Sequence, residues 1–257
     1  KTKKYINLYP DNPTLYNILG TILTAQNKIK ETHLCYKKIL KINPDFVETY
    51  NNYGIALKQF GQLKEAIIYF KKALKLKPNF IEARFNLAVT YKVSAKYEEA
   101  IKNYKEVLKN KPDVAQAYNN LGIIFNILAK FQDANLNYRK ALEINPNLSE
   151  SHMHLSYITK YTKGHKHIQE MEKAISITNI NDTQRMYLSF GLGKAFNDIE
   201  NYKKAFEYFD KGNSIRKKQL KYSIDTDNLL FRNLKNIFQK NLFNKFKNTG
   251  NSDKTPI

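Results

Sequence analysis

Residues 47–80 read VETYNNYGIALKQFGQLKEAIIYFKKALKLKPNF, and residues 81–114, IEARFNLAVTYKVSAKYEEAIKNYKEVLKNKPDV, follow it place for place. Prolines stand at 10, 44, 78, 112 and 146, each 34 residues after the last. Counting the first full unit from Pro13, position 4 holds Tyr16, Tyr50, Arg84 and Tyr118, position 7 holds Leu19, Tyr53, Leu87 and Leu121, and position 8 holds Gly20, Gly54, Ala88 and Gly122. A small residue at position 8 lets a second helix approach closely. In the second half of each unit, position 20 holds Thr32, Ala66, Ala100 and Ala134. Position 24 holds Tyr36, Phe70, Tyr104 and Tyr138, and position 27 holds Ile39, Ala73, Val107 and Ala141. Steps of four and three place these on one face of a helix. Proline cannot continue a helix and biases the residue before it toward an extended shape, so each proline ends a helix B and starts the turn to the next helix A.

A 34-residue unit with these residues resembles the tetratricopeptide repeat (TPR). The resemblance implies an all-α fold, a right-handed superhelix (α-solenoid) of antiparallel helix pairs with a C-terminal closing helix. Arg84 in place of the position-4 aromatic and Thr32 in place of the position-20 alanine predict locally looser packing. Past Pro146 a fifth unit starts near Ser149, with Leu155 and Ser156 at positions 7 and 8 and Met171 and Ala174 in its second helix. A sixth carries Leu192, Gly193, Ala205, Phe209 and Gly212, and an insertion is expected in TKYTKGHKH of the fifth. Lys3 to Tyr9 matches the end of a helix B, which predicts a chain beginning inside a repeat as a piece of a longer protein. The expected layout is a repeat remnant over 1–12, four regular repeats over 13–148, two divergent ones over 149–220, an amphipathic helix over 221–247 and a linker over 248–257.

Hydrophobic residues make up 42% of the chain, enough for a continuous core. No apolar run reaches the roughly 18–20 residues needed to span a membrane. With no signal peptide visible, a cytoplasmic protein is expected. Cys35, the lone cysteine, reads as a packed residue. The net charge of +20 comes from 43 basic residues of which five are Arg. Base-edge and phosphate recognition favour the arginine fork, so this balance argues against sequence-specific nucleic-acid binding. Residues 211–247 concentrate ten Lys or Arg against two Asp. They also carry an apolar stripe that includes Leu230, Phe231, Leu234, Ile237 and Phe238, expected to close the solenoid or seat a further domain rather than anchor in a membrane.

In TPR arrays the A helices line a concave groove, and the positions facing it include 5 and 6. Here position 6 gives Asn52, Asn86 and Asn120, and position 5 gives Asn17, Asn51 and Asn119. An amide offers one acceptor and two donors, suited to the backbone of an extended peptide. The series resembles the asparagine ladder in the TPR arm of O-linked N-acetylglucosamine transferases. A chaperone-tail clamp needs Lys or Arg where Asn17, Glu82 and Asn86 stand, so it is not expected.

No catalytic, cofactor-binding or metal-binding residue is assigned in this chain. His152 and His154, two apart on a helix, point to different faces, and GLGKA at 191–195 lacks the Ser or Thr and the first Gly of a phosphate loop. Residues 152–238 resemble the segment joining TPRs to a sulfotransferase domain in bacterial fusion proteins, through Ile168, Met171, Leu188 to Phe196, Asp198, Tyr202, Ala205, Phe206, Gly212, Asn213, Arg216, Tyr222 and Phe231. His165 departs from that family, standing in place of an expected Asp. The resemblance implies a downstream catalytic domain packing on residues 213–247 and using phosphoadenosine phosphosulfate, with this chain presenting a protein or peptide. A free-standing scaffold and a glycosyltransferase arm are the alternatives.

Overall fold

The computed structural model describes residues 9, 11–220 and 223–238. Pro10, the helix remnant expected over Lys3 to Tyr9 (Tyr9 aside), and the linker over 248–257 lie outside these. The described residues form thirteen helices and no strand. The A helices are α1 (Pro13–Ala25), α3 (Val47–Gln59), α5 (Ile81–Val93), α7 (Ala115–Ile127), α9 (Ser149–Ile158) and α11 (Asp182–Asp198). Their B partners are α2 (Ile29–Ile42), α4 (Leu63–Leu76), α6 (Tyr97–Asn110), α8 (Phe131–Ile144), α10 (Lys166–Ile175) and α12 (Tyr202–Leu220), and α13 (Ile224–Ile237) comes last. Each B helix from α2 to α10 also meets the following A helix. Successive A helices touch while successive B helices hardly do, so the stack curves with the A helices inside.

Within a pair, the position-8 glycine lies against the position-24 ring: a Cβ on Gly54 would come 2.7 Å from Phe70, and one on Gly122 2.5 Å from Tyr138. The alanines at positions 20 and 27 and these rings are fully buried. The turn from A to B is fixed by backbone. Residues Asn27, Gly61, Ala95 and Ala129, all at position 15, and Glu200 in the sixth unit adopt positive φ of 54–76°. The next amide then reaches back five residues, as in Gln62 N–H to Leu57 O at 2.8 Å and Lys96 N–H to Tyr91 O at 2.9 Å. Such left-handed caps satisfy the open carbonyls at a helix C-terminus.

The two departures expected to loosen packing do not. Tyr50 donates its hydroxyl to Pro44 O at 2.8 Å, and Arg84 donates Nη2 to Pro78 O at 2.9 Å, the same bond six residues back. His152, at position 4 of the fifth unit, does likewise through Nε2 to Pro146 O at 2.8 Å. In these three repeats position 4 supplies a long donor that fastens the proline turn, aromatic or not. Thr32 is fully buried and returns its hydroxyl to Lys28 O at 2.8 Å, so no polar group is stranded.

The fifth unit departs in a different place from the one expected. Tyr138 to Met171 is 33 residues and Met171 to Phe209 is 38, so one residue is lost before α10 and four are gained after it. The extra length sits in the 176–181 turn and the start of α11, where Asn181 and Gln184 form a capping box, rather than in TKYTKGHKH. With α9 and α10 shortened to 10 residues each, α9 packs chiefly on α11 and barely on α10.

The expected C-terminal helix is present as α13, but none of its described side chains is buried, so it does not close the stack. A regular B helix stops after 14 residues at a proline turn, whereas α12 runs 19 residues with no proline to end it. The chain leaves the last pair before a helix can fold back, and Tyr202 and Phe206 on α12 stay 64% and 72% exposed.

Candidate functional site: the inner face of the A helices

The asparagines at positions 5 and 6 meet across repeats. Asn52 Nδ2 donates to Asn17 Oδ1 at 3.2 Å, and Asn86 Nδ2 donates to Asn51 Oδ1 at 3.1 Å, each from position 6 of one repeat to position 5 of the one before. Asn51 also donates to Glu82 Oε1 at 3.0 Å. In the third repeat Phe85 replaces the position-5 asparagine, and Asn120 Oδ1 instead accepts from Lys92 Nζ at 2.5 Å. Asn119 Oδ1 accepts from Ser151 Oγ at 2.8 Å. Asn51 and Asn119 are 1% and 2% exposed, so they tie helix to helix and offer no free edge to a partner. Asn17, Asn52, Asn86 and Asn120 are half-buried on the inner helices.

Around this ladder the face is mixed in character. Ile18, Val93 and Ile127 are exposed, and a cavity of about 180 Å³ opens between Thr21, Asn52, Ile55 and Gln59. Lys58 and Lys92, both at position 12, stand half-buried on neighbouring helices, and burial lowers the pKa of each. Further along, His154, whose Nε2 stands 3.6 Å from Glu150, leads the neighbours that hold this carboxyl below the usual carboxylate range against the cost of burial. These side chains can bond a peptide backbone, cover apolar side chains and neutralise an acid.

The divergent fifth unit holds a second arrangement. His152 Nδ1 lies 2.9 Å from His167 Nε2, and His167 Nδ1 lies 2.6 Å from Tyr161 Oη. The carbonyl of Pro146 can only accept, so His152 carries its proton on Nε2. His167 then carries its own on Nε2, and Tyr161 donates. Both rings are neutral and no nitrogen lone pair is left for a ligand. Burial first, then His152, Arg139 and His165, depress His167 to about 3, and burial lowers His152. Sequence spacing set His152 against His154, and nothing in it brought His167 to the same place. The loop before α10 is pinned by Asp198, which accepts from Tyr161 N–H at 3.0 Å and Lys194 Nζ at 2.6 Å. These bonds outweigh desolvation and keep its carboxyl below the ordinary range. His165 caps α10 by accepting from His167 N–H at 3.2 Å, the service an Asp would give. Between α8 and α10 lies a cavity of about 670 Å³, lined by Arg139, Leu142, Leu155, Lys166, Glu170 and Lys173 among others. Cys35 is buried, and burial raises its thiol to about 11, so it packs rather than reacts.

Family models for tetratricopeptide repeats match residues 35–68, 69–102 and 115–148, and a TPR repeat model matches 96–126. These are tetratricopeptide repeats. No curated protein matches the sequence. Among solved structures, the TPR array is similar to PilF of Pseudomonas aeruginosa (18% identity, 86% of this chain and 97% of that one, TM-score 0.62). It is also similar to MamA from Desulfovibrio magneticus RS-1 (20%, 80% and 96%, 0.53). YrrB, described as a TPR protein with an unusual peptide-binding site, matches at 14% identity over 80% and 96% of the two chains, TM-score 0.52. At these identities the likeness is one of fold.

Proposed function

We propose that this TPR array is a protein-interaction scaffold that holds an extended segment of a partner along the inner face of its A helices. The observation that carries it is the line of half-buried amides at Asn17, Asn52, Asn86 and Asn120 beside exposed Ile18, Val93 and Ile127. Asn86 and Asn52 each spend one donor on the neighbouring repeat, and their remaining lone pairs and N–H groups match what a peptide backbone presents. The peptide-binding site of YrrB, on the same fold, supports the same use. A photoreactive phenylalanine analogue at Val93 should cross-link partner protein, and one at Ile68, exposed on the outer helix α4, should not. Equal cross-linking from both would remove the groove from consideration.

The finer reading, an arm that presents an acceptor to a phosphoadenosine-phosphosulfate-dependent sulfotransferase domain, rests on the resemblance of residues 152–238. The exposed apolar face of α13 and Tyr202 and Phe206 of α12 give such a domain a surface to cover. Of residues 213–247, positions 221–222 and 239–247 lie outside the described residues. A coding sequence after Ile257 that opens a strand and a Gly-rich loop with Ser or Thr would support this reading; a stop codon there would leave the scaffold alone.

A further inference from the structure

Lysine is the most abundant charge in this protein, and nearly every described ammonium group stands in water. Three described lysines are half-buried: Lys58, Lys92 and Lys194. Lys194 is held by Asp198 at 2.6 Å. The other two have no carboxylate within salt-bridge distance among the described residues. Lys92 reaches only the neutral amide of Asn120, and Lys58 has neither hydrogen bond nor ion pair. By register Asn86 is to Lys58 what Asn120 is to Lys92, but Asn86 is turned to Asn51. Lys58 also lowers the pKa of Lys92, so the two ammonium groups feel each other, with Glu150 acting on Lys92 from beyond contact range. A half-buried charge without a partner costs stability, and two of like sign cost more. Folding gains nothing from them there, while a ligand bringing negative charge would.

We infer that Lys58 and Lys92 form a carboxylate subsite of the groove, taking two Asp or Glu side chains set two or three residues apart in an extended peptide. The inference rests on the peptide-binding function proposed above. Packed helices lie about 8–10 Å apart, and an extended chain covers about 7–10 Å in two or three residues. Val93 and Ile127, one position along from Lys92 and Asn126 on their helices, offer an apolar side chain its place beside the acids. Lysine acts here as a point charge, so the subsite selects charge and spacing rather than a forked geometry.

The test is to pan the full chain against a random dodecamer display library and to titrate the enriched sequence as a synthetic peptide at physiological salt. The enriched peptides should carry a pair of Asp or Glu two or three apart. Lys58→Met with Lys92→Met should weaken the peptide about tenfold or more, the size expected for charge-assisted bonds. Lys71→Met with Lys105→Met, the same charge change on exposed B-helix positions, should leave affinity within about twofold, which separates a local subsite from the general attraction of a basic surface. Met keeps the aliphatic stem, and the groove double variant should melt no lower than the parent. Enriched peptides without acids, equal weakening by the two double variants, or binding that survives Glu→Gln but is lost on C-terminal amidation would each overturn the subsite while leaving the groove in place. Absence of any enriched peptide would count against the groove itself and the subsite with it.

Discussion

A methyl group on Gly54 has nowhere to go, since its carbon would lie 2.7 Å from one Phe70 ring atom and 2.9 Å from two others. Gly54→Ala should therefore cost about 1–3 kcal/mol despite the better helix propensity of alanine, and Phe70→Ala about 3–5 kcal/mol. Chemical denaturation of Gly54→Ala, of Phe70→Leu and of the two combined should show coupling, the double variant losing less than the sum. At the equivalent ring positions Tyr104 and Tyr138 bury hydroxyls with no partner in the structure. Phe70 fills the same site without one, so Tyr104→Phe should raise stability by about 1 kcal/mol. A loss instead would mean that the hydroxyl has a partner, such as a buried water. At position 15, Ala95 and Ala129 hold φ of 54° and 55°, where Gly61 sits at 76°. Ala95→Gly should stabilise by about 0.5–1 kcal/mol, read as a higher denaturation midpoint. Residues 47–80 made the Gly54–Phe70 contact legible. Position 4 misled, because the aromatic there suggested packing when the shared function of Tyr50, Arg84 and His152 is a hydrogen bond to a proline carbonyl.

The fifth unit is the element with a pH dependence of its own. Unfolded, His152 and His167 titrate near the ordinary value of 6.5; folded, both are depressed, His167 to about 3. Between these values the unfolded chain binds more protons. Stability contributed by the neutral pair is thus complete above about pH 6.5 and is lost as pH falls, for His167 at about 1.4 kcal/mol per pH unit down toward 3, with His152 adding a loss of the same sign. Denaturation midpoints measured from pH 7.5 to 4.5 should fall along that slope, and His167→Gln, whatever its stability at pH 7.5, should flatten it. An unchanged slope would show that other groups control the acid limit. The sequence hid this network because its parts lie 15 residues apart across a loop whose register depends on a lost residue before α10. Spacing within one helix could not bring His152 and His167 together.

At the scale of the whole molecule, the regular metre of prolines, small residues and rings was enough to read an all-α array, since each repeat contacts only its neighbours. The C-terminal end was not, because whether α13 folds back depends on where α12 stops, and no residue there imposes the stop. The inner face of the A helices was half legible. Position numbers gathered six asparagines on the A helices, and the structure separates Asn51 and Asn119, which are buried and bind helix to helix, from Asn17, Asn52, Asn86 and Asn120, which stay half-exposed. Sequence position alone also passed over Lys58 and Lys92, whose significance lies in burial without a counter-charge. The central claim is that a partner segment lies along the inner face. Amide chemical-shift mapping on the ¹⁵N-labelled chain, titrated with a peptide selected by display, tests it most directly. Shifts should gather on α1, α3, α5 and α7 and spare α2, α4, α6 and α8; shifts confined to those outer helices, or to the cavity between α8 and α10, would contradict it.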